Sequence, residues 1–155
     1  MKSQKEEVIM KDTFRLKVVQ DLAQQQSDTA ATRLGVINAE SVRAEQKLDM
    51  LLEYREEYRE RFRSTMHRDV DSAGFKNFQQ FLEKLDEAIE QQRGAFLTTR
   101  QAVLTGQREW QSKQIKVKAY DTLAMRHESV QSARMKRIDQ RVTDEFAARA
   151  HHAKR

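Results

Sequence analysis

Acidic and histidine side chains are the first place to look for chemistry. Glu53, Glu56, Glu57 and Glu60 stand three and four apart, which puts carboxylates on one helix face and would suit a metal ion or a general acid. They alternate, however, with Arg55, Arg59, Arg61 and Arg63. Opposite charges at three- and four-residue separation support a helix surface, so the cluster reads as a solvated, self-paired face. The histidines are His67, His127, His151 and His152, and none stands three or four residues from another, as two ligands on one helix face require. The chain has no cysteine, which excludes disulfides and thiolate metal sites and is compatible with a reducing cytosol. Neither G-x-x-x-x-G-K-[ST] nor G-x-G-x-x-G occurs, so no recognisable loop of backbone amides awaits a nucleotide's phosphates. No catalytic residue, cofactor or metal is expected; the chain reads as one that works through contacts.

The elements that position those contacts follow from spacing. The 155 residues include no proline and only four glycines, and hydrophobic residues recur every three or four positions. Leu34, Ile37, Ser41, Ala44, Leu48, Leu51, Arg55, Tyr58 and Phe62 alternate steps of three and four, the 3.5-residue repeat that turns one helix stripe toward a partner helix. Phe78, Leu82, Leu85, Ile89, Gln92, Phe96, Thr99, Val103, Gly106 and Trp110 repeat the alternation, and a looser version runs through Val117, Tyr120, Ala124, His127 and Ile138. With 38% hydrophobic and 34% charged residues the chain cannot fill an ordinary globular core, yet its apolar positions are too regular for disorder. A narrow seam between paired helices satisfies both. No run approaches the roughly 18 apolar residues of a membrane span, and residues 1–11 are polar rather than signal-like, so a soluble, unprocessed chain is expected.

The predicted fold is all-α, a long antiparallel two-helix coiled-coil hairpin. Residues 1–11 lack periodicity and read as a flexible N-terminal extension; the hairpin occupies 12–150, and 151–155 form a basic C-terminal tail. The first helix is predicted from Asp12 or Thr13, either of which can cap it, to about Arg68, and the second from about Phe75 to about Ala150. Between them, 69–74 hold the one cluster of turn and capping residues, Asp69-Val70-Asp71-Ser72-Ala73-Gly74, and place the bend. At about 1.5 Å per residue such helices reach roughly 80 and 110 Å, so each needs the other as its buried surface. A bend near residue 72 makes residues facing each other sum to about 144. Leu34 and Gly35 then lie near Trp110 and Ile37 near Gly106, with both glycines predicted to permit close packing. Everything after about residue 132 is left without a partner, as an unpaired basic helix.

Charge separates the halves. Residues 1–92 carry 15 Lys and Arg against 18 Asp and Glu, whereas 93–155 carry 14 against 6. A basic helix suits nucleic acid, an anionic lipid surface or an acidic protein groove, or is simply a solvated coiled-coil face. Stacking on single strands needs aromatics beside the basic residues, and Trp110, Tyr120 and Phe146 are widely spaced. Nucleic acid is not the expected partner.

Around the bend the aromatics are denser than a two-helix seam can bury. Leu51, Tyr54, Tyr58 and Phe62 face Phe75, Phe78, Phe81, Leu85 and Ala88. Phe78, Leu82, Leu85 and Ile89 serve the seam, which turns Phe81 and Ala88, with Tyr54 opposite, toward its flank. A contiguous apolar flank marks either a protein contact or a locally thicker core.

With these residues in view, the chain resembles the FliJ family, the small cytoplasmic component of the flagellar type III export apparatus, over nearly its whole length. Phe14-Arg15-Leu16, Asp21-Leu22-Ala23 and Ala30-Ala31-Thr32-Arg33-Leu34-Gly35 resemble the family's opening helix, and Leu51-Leu52-Glu53-Tyr54-Arg55-Glu56-Glu57-Tyr58 its L-x-x-Y-x-x-x-Y signature. Asn77-Phe78-Gln79-Gln80-Phe81-Leu82 with Leu85, Ala88-Ile89 and Gln91, then Trp110, Arg137-Ile138-Asp139-Gln140-Arg141 and Asp144-Glu145-Phe146-Ala147, continue the match in order.

That resemblance implies a non-catalytic stalk that resembles the central shaft of rotary ATPases. It implies a terminal end placed in the pore of a hexameric export ATPase, contact with the ATPase's regulator and with export chaperones, and binding to the cytoplasmic domain of the export gate. By position, Leu51, Tyr54, Tyr58, Phe81, Leu85 and Ala88 match the gate-binding surface, and Phe14, Leu16, Arg137, Arg141 and Phe146 belong to the end directed at the ATPase ring. It implies a cytoplasmic protein held peripherally at the inner membrane through the apparatus. The residues before Thr13 and the tail after Arg149 depart from the shortest family pattern. The alternative from another class is a basic coiled-coil scaffold on nucleic acid or an anionic membrane, whose binding would fade with salt.

Overall fold

The computed structural model describes residues 2–66, 68 and 71–154. Two helices account for nearly all of them: α1, Lys2–Met66, and α2, Ser72–Ala153. They pack against each other in antiparallel sense, and no strand occurs among the described residues, which is the all-α helical hairpin that the spacing predicts. Neither helix is long and apolar enough to cross a membrane.

The helix limits differ from those predicted, for local reasons. Thr13 does not cap α1: its hydroxyl donates to the Ile9 carbonyl at 2.8 Å, a bond made inside a continuing helix, and the helix begins at Lys2. Over 3–11 the side chains are exposed apart from half-buried Ile9. At the bend, the Ser64 and Thr65 hydroxyls both donate to the Arg61 carbonyl at 2.8 Å as α1 ends. Asp71 then starts α2. Its carboxylate accepts the Gly74 N–H at 2.8 Å while its carbonyl accepts the Phe75 N–H at 3.1 Å, the arrangement of an N-cap. Gly74 is therefore a residue of the first turn of α2 rather than part of the bend. His67, Asp69 and Val70, with Met1 and Arg155 at the ends, lie outside the described residues.

The chain divides into two units, Thr29–Gln111 and Met1–Asp28 with Ser112–Arg155. In the first, every residue of the two predicted stripes, Leu34 to Phe62 and Phe78 to Trp110, is buried or half-buried. Leu48, Leu85 and Ile89 form its core cluster, with Ile89 only 1% exposed, and Leu51, Leu52 and Phe96 pack against it. Arg33 pairs with Glu109 at 3.3 Å, Arg55 with Asp86 at 3.0 Å, and Gln92 donates to the Ala44 carbonyl at 3.0 Å. The facing ion pairs sum to 142 and 141, two and three residues short of the predicted 144. The reason is at the bend: a helix that already starts at Ser72 moves its centre toward α1.

Gly106 sits where α1 comes close. A Cβ there would lie 3.2 Å from Leu34 Cδ1 and 3.7 Å from Ile37 Cδ1, so the predicted meeting of Ile37 and Gly106 holds. Gly35 does not share it. The glycine is exposed and a Cβ there would meet nothing within 4 Å, which removes the close-packing role expected of it.

In the second unit Ala23, Ser27 and Val117 are buried, and Leu16, Gln20, Gln114, Tyr120, Ala124 and His127 are half-buried. Gln114 donates to the Ser27 hydroxyl at 2.7 Å and Gln20 to Asp121 at 2.6 Å, pairs that again run antiparallel. Ile138, expected on the seam, is exposed. From Ser132 to Ala153 every residue of α2 is exposed, as the unpaired C-terminal helix requires.

Candidate functional site

Six rings near the bend interleave across the two helices. α1 supplies Tyr54, Tyr58 and Phe62 at four-residue spacing and α2 supplies Phe75, Phe78 and Phe81 at three-residue spacing, so each set lies along one helix face. Phe62 stacks on Phe78 with centroids 3.6 Å apart and planes 9° from parallel, and Phe78 stacks on Tyr58 at 5.1 Å. Tyr58 then meets Phe81 at 4.4 Å, and Phe81 meets Tyr54 edge-on at 6.2 Å. Phe75 closes the other end on Phe62 at 6.0 Å. Offset and edge-to-face rings attract beyond the area they bury, so this ladder holds its outer members in place.

The outer members face solvent. Tyr54 is 44% exposed, Phe75 41% and Phe81 37%, whereas Tyr58, Phe62 and Phe78 are half-buried. Of the six residues matched by position to a partner surface, Tyr54, Tyr58 and Phe81 touch one another. Leu51 and Ala88 are half-buried, and Leu85 is buried within the core cluster. Tyr54 and Phe81 are therefore accessible rings packed on half-buried Tyr58, while Leu85 lies in the core cluster within. Beside them Arg55 reaches across to Asp86, and Arg59 pairs with Glu56 at 3.3 Å on α1. An apolar centre with a polar rim is the anatomy of a protein-contact surface.

The Arg55–Asp86 pair is absent from the reading of the glutamate cluster, which assigns Arg55 to neighbours on its own helix. Its signal is the position of Arg55 in the three-four alternation, which turns it toward α2. Arg61 with Glu57 and Arg63 with Glu60 do pair along α1 as the spacing predicts. Among the described residues no group of three or more His, Cys, Asp or Glu is placed to hold a metal ion.

The residues assigned to the terminal end lie in the other unit. Leu16 is half-buried on the seam, Phe14 is 70% exposed and Phe146 74%, and Arg137 and Arg141 are exposed on the uncovered stretch of α2. Met135, Ile138, Val142 and Phe146 there continue, uncovered, the helix face that α1 covers up to Gln131.

Comparison with known proteins is consistent along the chain. A family model described as Flagellar FliJ protein matches residues 10–155. The Flagellar FliJ protein of Salmonella typhi is 35% identical over 135 residues, covering 87% of this chain and 92% of that relative. That of Escherichia coli (strain K12) is 34% identical over 135 residues with the same coverage, 87% and 92%.

Proposed function

Because the chain belongs to the FliJ family of flagellar proteins, we propose that it is a non-catalytic stalk and coupling component of flagellar protein export, engaging an export ATPase ring and an export gate through opposite parts of its sequence. The observation that carries the division of labour is the exposure of Tyr54 and Phe81 on a fixed aromatic ladder. Such anchored rings suit a binding surface for the gate's cytoplasmic domain, with Leu51, Tyr58, Leu85 and Ala88 supporting or flanking them. Phe14, Arg137, Arg141 and Phe146, exposed in the other unit, together with Leu16 belong to the part directed at the ATPase ring. The ATPase's regulator and export chaperones complete the set of partners, and the protein works in the cytoplasm, attached to the membrane only through the apparatus.

Co-purification with an export ATPase tests this reading. The full chain, lacking a phosphate loop, is expected to hydrolyse no ATP itself, yet to bind the ATPase and raise its turnover or hexamer formation, since binding to the assembled ring draws the equilibrium toward it. Removal of Arg134–Arg155 together with Met1–Leu22 is expected to abolish that stimulation. Stimulation that survives the double truncation would reject the assignment of the terminal end.

A further inference from the structure

Both units carry polar ties across the seam, but they differ in the apolar surface that accompanies those ties. In Thr29–Gln111 the seam joins Leu48, Leu85 and Ile89 to Leu51, Leu52 and Phe96, and the ring ladder from Phe75 to Tyr54 extends it to the bend. In the other unit the buried seam residues are small or short, Ala23, Ser27 and Val117. Its helices are tied by polar contacts: Gln114 to Ser27 at 2.7 Å, Gln20 to Asp121 at 2.6 Å, and His127 Nε2 with Thr13 Oγ1 at 3.1 Å.

These differences determine what opening costs. Separating leucine, isoleucine and phenylalanine surfaces exposes apolar area to water, whereas glutamine, serine, aspartate and histidine side chains exchange each other for water at little net loss. The bend also keeps its own unit's helices at high effective concentration, since closing a short connection costs little entropy. The other unit, Met1–Asp28 with Ser112–Arg155, does not contain that bend. Its separated helices would uncover Leu16 and Ala23 on α1 and Val117, Tyr120 and Ala124 on α2, surfaces otherwise turned inward.

We propose that the helices of Met1–Asp28 and Ser112–Arg155 part and re-pair in a local opening while Thr29–Gln111 stays closed, so that the seam between the parting helices becomes transiently available to partners. The opening is a property of the isolated chain and holds whichever partners the protein serves.

Native-state hydrogen exchange on the full chain tests it. Amides in 13–28 and 113–131 are expected to exchange with one common opening rate constant ratio, about 100-fold or more faster than those in 44–58 and 82–96, as expected of separate cooperative units. The chain has no cysteine, so Gln20→Cys with Asp121→Cys offers a clean lock. Its oxidised form should slow exchange in 13–28 and 113–131, leave 82–96 unchanged, and lose the effect on reduction. Ser27→Ala with Gln114→Leu, which replaces a polar tie by an apolar one, should slow the same segments without any cross-link. Equal protection of 13–28 and 82–96, or exchange in 13–28 that neither pair of substitutions changes, would overturn the proposal.

Discussion

Ser27 and Gln114 form a closed polar pair across the seam: the serine, 0% exposed, accepts a 2.7 Å hydrogen bond from the glutamine side-chain amide. A small residue facing a long one keeps the helices close without an apolar side chain between them. Ser27→Ala leaves the half-buried Gln114 amide without its acceptor, and losing such a hydrogen bond costs about 0.5–1.5 kcal/mol. Urea unfolding should show that loss for the single variant. Adding Gln114→Leu should recover all of it or more, because replacing both partners removes the unpaired group and sets apolar side chains against each other.

Gly35 and Gly106 make a matched pair for a test of packing. Replacing a mid-helix glycine by alanine gains up to about 1 kcal/mol from helix propensity. At Gly35 a Cβ would meet nothing within 4 Å, so Gly35→Ala should raise the melting temperature. At Gly106 the Cβ would press on Leu34 Cδ1 at 3.2 Å, the end of a side chain that must give way. Gly106→Ala should therefore gain less than Gly35→Ala or nothing, and thermal melts of the two variants decide it.

Ile89 is the most buried apolar side chain at 1% exposure, packed with Leu48 and Leu85. Ile89→Ala should cost about 2–5 kcal/mol from lost transfer energy and the cavity left behind. Ile138→Ala, at an exposed position, should change stability little. Chemical denaturation of both variants reads the contrast directly.

These residues also show what sequence can reveal. The seam from Leu34 to Phe62 and from Phe78 to Trp110 was legible because large apolar side chains recur at three and four. Its continuation through Ala23, Ser27 and Ala30 keeps the same spacing, but alanine and serine are equally at home in water, so only extrapolation of the period would have found them. The register was offset because Gly74 resembles a turn residue, while the Asp71 cap that draws it into α2 is a geometric fact. The aromatic flank was visible in the spacing of Tyr54, Tyr58 and Phe81. Which rings lie outermost depends on how the ladder stacks, and that depends on register.

The aromatic ladder gives the sharpest prediction about function. Tyr54 and Phe81 meet edge-on at 6.2 Å and each also contacts Tyr58, yet both remain exposed while Tyr58 and Phe78 beneath them are half-buried. Removing the two outer rings takes away aromatic contacts worth about 0.5–1.5 kcal/mol each and leaves the Phe62–Phe78 stack and the Ile89 core intact. The double variant Tyr54→Ala, Phe81→Ala should keep its helicity and its stimulation of the export ATPase, with a modestly lower melting temperature. Its binding to the gate's cytoplasmic domain should fall at least about 30-fold, since interface anchors contribute roughly 2 kcal/mol or more, and motility should fall with it. Circular dichroism, ATPase assays and calorimetric titration with the gate domain separate these effects. A variant that melts early and loses both partners together would make the two rings part of the core, and the gate-binding role of this surface would be rejected.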